Sequence, residues 1–232
     1  MQIEEKKQGI VAGISLIIMA IVAGFSFGYA HNNLVTDSAM TTLENLKASR
    51  SLFLAEIGGW SLIFITDLIV AISLYFFFRG TSRQISLITA AIRILYTLIL
   101  GLAIIQLFKI IPYLSPDNPI IGDLAANETA THLHLFEKLW SIGLIIFGLH
   151  LVGLGYLSIK SKSVHWLLGY LLYLGGISYF FIHLSRQTGL AGTGAIVSAE
   201  KILSLPMALA EILLALWLIY NGFRKQPSGD KI

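Results

Sequence analysis

Six long apolar runs constrain this chain more than any other feature: residues 9–30, 54–78, 85–108, 134–159, 166–184 and 202–220. At roughly 1.5 Å per residue, a helix of each length crosses a hydrocarbon core of about 30 Å. Inside lipid every backbone N–H and C=O must find a partner within the protein, which leaves only helices and closed barrels. Barrel strands alternate polar and apolar residues. These runs are continuous and rich in leucine and isoleucine, so they predict helices. Composition agrees: 56% of residues are hydrophobic and 12% charged, against about 25% charged in soluble domains. The expected fold is all-α, a single domain over residues 1–232 built as a bundle of six transmembrane helices. No internal repeat is visible.

Several chemistries are excluded at once. The chain has no cysteine, which removes disulfides, thiolate metal sites and cysteine catalysis. It contains no phosphate-binding glycine loop, no HExxH and no GxSxG. His132 and His134 fall about 200° apart on a helix, a poor arrangement for one metal. His150, His165 and His183 differ in depth, so no histidine pair suits a haem. No metal and no cofactor is expected. The net charge is +3, but the basic residues sit at helix ends and form no stripe, so nucleic acid is not an expected partner. The first apolar run exceeds the roughly 7–15 residues of a signal-peptide core. It is expected to remain as a span, although Gly28 and Ala30 occupy cleavage-like positions.

Lys and Arg set the direction. Lys6, Lys7, Arg79, Arg83, Lys160, Lys162, Arg224, Lys225 and Lys231 fall in short loops and termini on one side. Both termini are therefore expected in the cytoplasm, in a multi-pass protein of the inner (cytoplasmic) membrane. Trp166 and Trp217 would mark the inner interface and Trp140 the outer one. The loops at 79–83 and 160–163 are tight, which makes the second and third spans neighbours, and likewise the fourth and fifth. Met40, Leu43 and Leu46 recur at helical spacing after Asp37 and Ser38. They predict a short amphipathic helix over about 38–50 on the outer surface. Residues 114–131 and 185–198 read as outer loops, the latter including a glycine-rich stretch from Gly189 to Gly194.

Four ionisable residues lie where lipid should forbid them: Asp67, Arg93, His150 and Glu211. Each such group costs at least about 2.5–3.5 kcal/mol at mid-membrane. They stand 12, 10, 10 and 13 residues from Arg79, Arg83, Lys160 and Arg224 respectively, hence at one depth of roughly 15–20 Å. Arginine keeps its charge at any accessible pH, so a carboxylate at its level is the natural partner. Asp67 is the first candidate, with Glu211 completing the group or pairing with His150. Tyr96 and Thr97 share Arg93's helical face and are placed to fill remaining hydrogen bonds. Glu56 and Glu200 each precede a midplane carboxylate by 11 residues, on the same face. With His134, Glu137 and His183 they form a candidate outer vestibule. Gly143, Gly148, Gly153 and Gly155, and Gly169, Gly175 and Gly176, allow close helix approach. Pro206 is expected to bend the last span.

The segments Thr66-Asp67-Leu68, Ala90-Ala-Ile-Arg93, Phe147-Gly-Leu-His150-Leu-Val-Gly-Leu-Gly-Tyr156, Leu168-Gly-Tyr-Leu-Leu-Tyr-Leu-Gly-Gly-Ile-Ser-Tyr179 and Ala210-Glu-Ile-Leu-Leu-Ala-Leu-Trp217 resemble a bacterial integral membrane family, domain of unknown function 4386. The FGxHLxxxGY stretch is the most specific part. One departure is visible: the family usually has a proline where this chain reads Val164-His165-Trp166. The resemblance implies a polytopic bacterial membrane protein and brings no substrate. It places Asp67, Arg93, His150 and Glu211 inside the family's motif segments.

Three functions fit these residues. The first is a midplane polar pocket that binds a small polar or amphiphilic ligand, ion or proton, with Arg93 holding an anionic group, Asp67 and Glu211 balancing charge and His150 titrating. The second is an intramembrane enzyme acting on a lipid or isoprenoid, with His150 and Glu211 as acid/base groups. The third is a non-catalytic membrane partner or structural protein. The expected partners are membrane lipids and a small-molecule or lipid ligand. Catalytic residues and any protein partner stay unassigned.

Overall fold

The structure, a computed structural model, describes residues 3–161, 163–188 and 194–224; the side chains at 194–197, 199–201 and 204 are not described. Lys162, Lys225, Lys231, the stretch 189–193 and the Glu200 side chain thus lie outside the described residues. Among those residues the chain is helical, with no strand. Helix α1 spans Ile3–Leu34 and contains a π-helical stretch at Gly24–His31. Helix α2 is Ala39–Ala48, α3 Arg50–Phe78, α4 Arg83–Phe108, α5 Gly122–Lys160, α6 Trp166–Gln187 and α7 Gly194–Phe223. All but α2 are long and apolar enough to cross a membrane, which bears out the six-span, all-α reading.

The six long helices close into a ring: α1 packs on α3, α3 on α4, α4 on α5, α5 on α6, α6 on α7, and α7 back on α1. Their outward faces carry exposed Ile65, Ile69, Ile72, Leu95, Leu98 and Leu102, as a lipid-facing surface should. The buried faces combine large apolar residues such as Phe53, Trp60, Leu100 and Phe136 with polar ones such as Ser73, Thr89 and Ser158. The tight turn at 79–82 joins α3 to α4, with Thr81 N–H bonded to the Phe78 carbonyl at 2.9 Å.

Helix ends differ from the hydropathy boundaries. Helix α5 begins at Gly122, in the left-handed region at φ 62°, and not at 134. Its first three turns are too polar to read as a span, yet Ala125, Ala126 and Thr129 are fully covered, and α2 packs against α5. Hydropathy marks the bilayer crossing, whereas helical hydrogen bonding continues wherever protein supports it. Helix α2 is capped by Ser38, whose Oγ accepts from Thr41 N–H at 3.3 Å. Its apolar residues Leu43 and Leu46 are buried against the bundle.

Glycines set the closest approach. A Cβ on Gly148 would stand 2.6 Å from the Gly176 carbonyl oxygen, and one on Gly155 would stand 2.8 Å from that of Gly169. Helices α5 and α6 thus touch backbone to backbone at two levels. Gly13 of α1 meets α7 the same way, where a Cβ would lie 2.7 Å from the Ala215 carbonyl. Replacing Gly148 by leucine should force α5 and α6 apart and cost about 1–3 kcal/mol. Thermal unfolding in detergent checks this; unchanged stability would mean that the two helices do not meet there.

Candidate functional site

The centre of the ring is Arg93. It sits on the buried face of α4 with Ser86, Thr89, Ala90, Tyr96, Thr97 and Leu100, and its side chain is 0% exposed. Every guanidinium nitrogen faces an acceptor. Nε donates to Asp67 Oδ1 on α3 at 2.8 Å, and Nη2 contacts the same oxygen at 2.6 Å. Nη1 donates to Glu211 Oε1 on α7 at 2.7 Å and reaches His150 Nε2 on α5 at 3.1 Å. Nη2 also approaches Met19 Sδ on α1 at 3.8 Å, and the Phe147 ring lies 5.4 Å from Cζ, a cation–π distance. The four residues of the predicted midplane layer therefore form one group.

This geometry assigns the imidazole. Arginine only donates, so His150 Nε2 accepts from Nη1 and the ring proton lies on Nδ1. That nitrogen donates to the Thr89 carbonyl at 2.9 Å. His150 is thereby held neutral in one tautomer, by a carbonyl one helical turn before Arg93. Gly153 makes the contact reachable: a Cβ there would stand 2.5 Å from Thr89 Oγ1. Thr97 Oγ1 donates to the Arg93 carbonyl at 2.8 Å, within its own helix. Tyr96 turns toward Phe147 instead, ring centroids 5.0 Å apart. Asp67 Oδ2 is buried and makes no hydrogen bond.

The group has a sealed side and an open side. Asp67 and Arg93 are 0% exposed and His150 1%, whereas the Glu211 side chain retains 19%. Glu211 borders a cavity of about 260 Å³ to which all six long helices contribute. Its wall includes Met19, Ala20 and Ala23 of α1, Trp60 of α3, Tyr96 of α4, Trp140 and Phe147 of α5, Tyr179 of α6, and Met207 and Ala208 of α7. On the far side of the group from this cavity, Gly9, Gly13 and Ile10 of α1 touch Leu218, Ala215, Ile219 and Gly222 of α7. Toward the cavity these two helices present Ala20, Ala23 and Ala208, and Ala208 is exposed.

A second polar group lies beyond the cavity and includes a residue that sequence reasoning missed. His31 Nδ1 stands 2.8 Å from Glu56 Oε1, and Nε2 stands 3.2 Å from Glu137 Oε1. Carboxylates only accept, so two donors are needed and the imidazolium matches the pair. At roughly 3.6 residues per turn, His31 stands about five turns after Gly13, which lies on the buried face of α1. Ending the first apolar run at Ala30 places His31 in the outer loop, and its spacing from Gly13 is the available signal. Glu56 Oε2 has no partner.

Between the two groups lies an aromatic layer. Phe27 stacks on His31 at 5.4 Å and meets Trp140 at 4.7 Å; Trp60 meets Trp140 at 4.9 Å and Phe136 at 5.2 Å. Trp140 thus points into the bundle and not to an interfacial belt. His134 and Glu137 line a separate open groove of about 380 Å³ with Lys138, Ser141, Arg186 and Gln187. His183 Nδ1 bonds Ser141 Oγ at 3.0 Å, which also accepts from Gln187 at 3.0 Å. Of the candidate vestibule, Glu56 and Glu137 are joined through His31, while His134 and His183 belong to the groove side. The cavity wall contains none of them among the described residues. No cluster of three His, Asp or Glu side chains among these residues is arranged for a metal.

These features define a multi-pass helical membrane protein built around a buried arginine. The chain matches the family described as a domain of unknown function (DUF4386) over residues 11–222, and it belongs to that family. It is 31% identical over 184 residues to an uncharacterized protein of Archaeoglobus fulgidus, an alignment covering 79% of this chain and 91% of the relative. No solved structure matches the chain.

Two outcomes test the group. Arg93→Met should destabilise the protein by about 3–5 kcal/mol, because it leaves Asp67 buried without its partner. Adding Asp67→Asn should recover part of that loss, giving a coupling of about 1–3 kcal/mol in a double-mutant cycle read by SDS or thermal unfolding. Strict additivity would show that the two residues do not interact. In the second group, His31→Leu strands the buried Glu56 carboxylate and should cost about 1–3 kcal/mol. Glu56→Gln on the His31→Leu background should restore part of it, as followed by the same unfolding assay.

Proposed function

We propose that this protein binds a small amphiphile in the midplane cavity and admits it from the lipid between α1 and α7. One observation carries the reading: a cavity of about 260 Å³, walled mainly by aromatic and small apolar side chains, ends on Glu211 of the Arg93 group. Small-molecule sites combine this kind of apolar wall with few convergent polar groups, in volumes of roughly 300–1,000 Å³. The split exposure supports the same reading. Asp67, Arg93 and His150 are sealed, which suits a structural core, while Glu211 is the member a guest can reach. His150 has both ring nitrogens engaged and is not part of the cavity wall. That favours binding over acid/base chemistry by a His150–Glu211 pair.

The direction of entry follows from charge. Lys6, Lys7, Arg79, Arg83, Lys160 and Arg224 share the end of the bundle away from the cavity. If that end faces the cytoplasm, as positive residues do, the opening lies in the outer leaflet. The short side chains of Ala20, Ala23 and Ala208 leave room for an entrance between the two helices. Ala208→Phe should fill it while leaving the fold intact, since the position is exposed. Protein purified in lipid nanodiscs and analysed by native mass spectrometry should release a bound small molecule. The Ala208→Phe variant should retain markedly less at equal thermal stability. Wild-type protein that carries and accepts nothing would sink the reading.

A further inference from the structure

The composition of the cavity and the charges at its floor point to a class of guest, an inference that rests on the binding reading above. Two carboxylates, Asp67 and Glu211, share one guanidinium. His150 adds no positive charge, because its Nε2 accepts from Arg93. With both carboxylates ionised the group carries one negative charge more than it can balance. In low dielectric such an excess is costly and is relieved by a proton or by a cation at the accessible carboxylate. Glu211 is the accessible member and holds Arg93 through Oε1. The wall around it is rich in aromatic rings, Tyr96, Trp140 and Tyr179 with Met207 beside them, and it carries one orphaned donor, the buried Trp60 Nε1. Aromatic faces with a carboxylate at one end suit an organic ammonium, by cation–π attraction and by charge. An anion seated at this end would meet the like charge of Glu211. The one positive group, Arg93, is sealed behind its partners.

We propose that the cavity takes an amphiphile bearing an ammonium head, seated with its head at Glu211 and its apolar body among Trp140, Tyr96, Tyr179 and Met207. Entry from the bilayer suits such a molecule, because its tail is already dissolved in lipid. The aromatic layer of Phe27, Trp60, Phe136 and Trp140 keeps it from the His31 group.

Bromine quenching of tryptophan tests this. Trp60 and Trp140 border the cavity, and the other two of the four tryptophans, Trp166 and Trp217, belong to the opposite end. Protein in zwitterionic nanodiscs is titrated with three matched probes: ω-bromooctyltrimethylammonium, ω-bromooctanol and ω-bromooctanoate. The ammonium probe should give saturable quenching roughly 30-fold tighter than the alcohol, and Glu211→Gln should lose about that factor. Glu211→Asp should keep the preference for the cation. Equal or better binding of the alcohol or the carboxylate overturns the cation assignment while leaving an amphiphile site in place. No saturable quenching by any probe overturns the assignment and the binding reading together. Should Glu211→Gln fail to stay monodisperse, the ranking of probes on the wild type and on Glu211→Asp decides the matter.

Discussion

Everything in the bundle is arranged around a charge that cannot be shed. Arginine stays protonated at any accessible pH, and lipid offers no water to solvate it. Arg93 at 0% exposure must therefore be answered by protein. Asp67, Glu211, His150 and Met19 do so from α3, α7, α5 and α1. Those four contacts fix the register of five helices at one level, because sliding any helix by a turn would strand a buried polar group. The glycines at 13, 148, 153, 155, 169 and 176 serve the same end, since they let the backbones come close enough for short side chains to meet.

The answer to that charge is lopsided. On one side Asp67, Arg93 and His150 are packed solid. On the other, Glu211 borders open space enclosed by aromatic rings. A purely structural ion pair has no need of such space, and a packed bundle normally closes voids because unfilled volume forfeits dispersion contacts. The neighbouring His31 group obeys the same rule of a buried ionisable residue bracketed by carboxylates, but the Trp60–Trp140 layer divides it from the cavity. The protein thus keeps two polar levels in one bundle without a continuous wet path between them among the described residues.

How much of this was legible depended on the kind of signal. The meeting of Asp67, Arg93, His150 and Glu211 followed from their shared distance from basic helix ends, because rise per residue converts sequence separation into depth. The α3–α4 adjacency followed from a loop too short for anything else. Tyr96 lies on the expected face of α4 but borders the cavity, because Asp67, His150 and Glu211 already take the guanidinium's N–H groups. His31 was missed because hydropathy ended the first span at Ala30, although it lies about five turns after buried Gly13 on the same face. The polar first turns of α5 were equally hidden, since α2 supports them and hydropathy sees only lipid.

The amino-acid sequence by itself determined that this chain spans a membrane six times and brings four ionisable residues to one depth. Both are one-dimensional consequences: apolar length matches bilayer thickness, and residue count measures height along a helix. Only the tertiary structure decided which of those residues touch, that His150 accepts and therefore stays neutral, that Glu211 alone of the four borders a cavity, and that Trp140 faces inward. Those outcomes depend on helix rotation and on the order of helices around the ring. Both are settled by packing between segments far apart in the chain, where no local pattern records them.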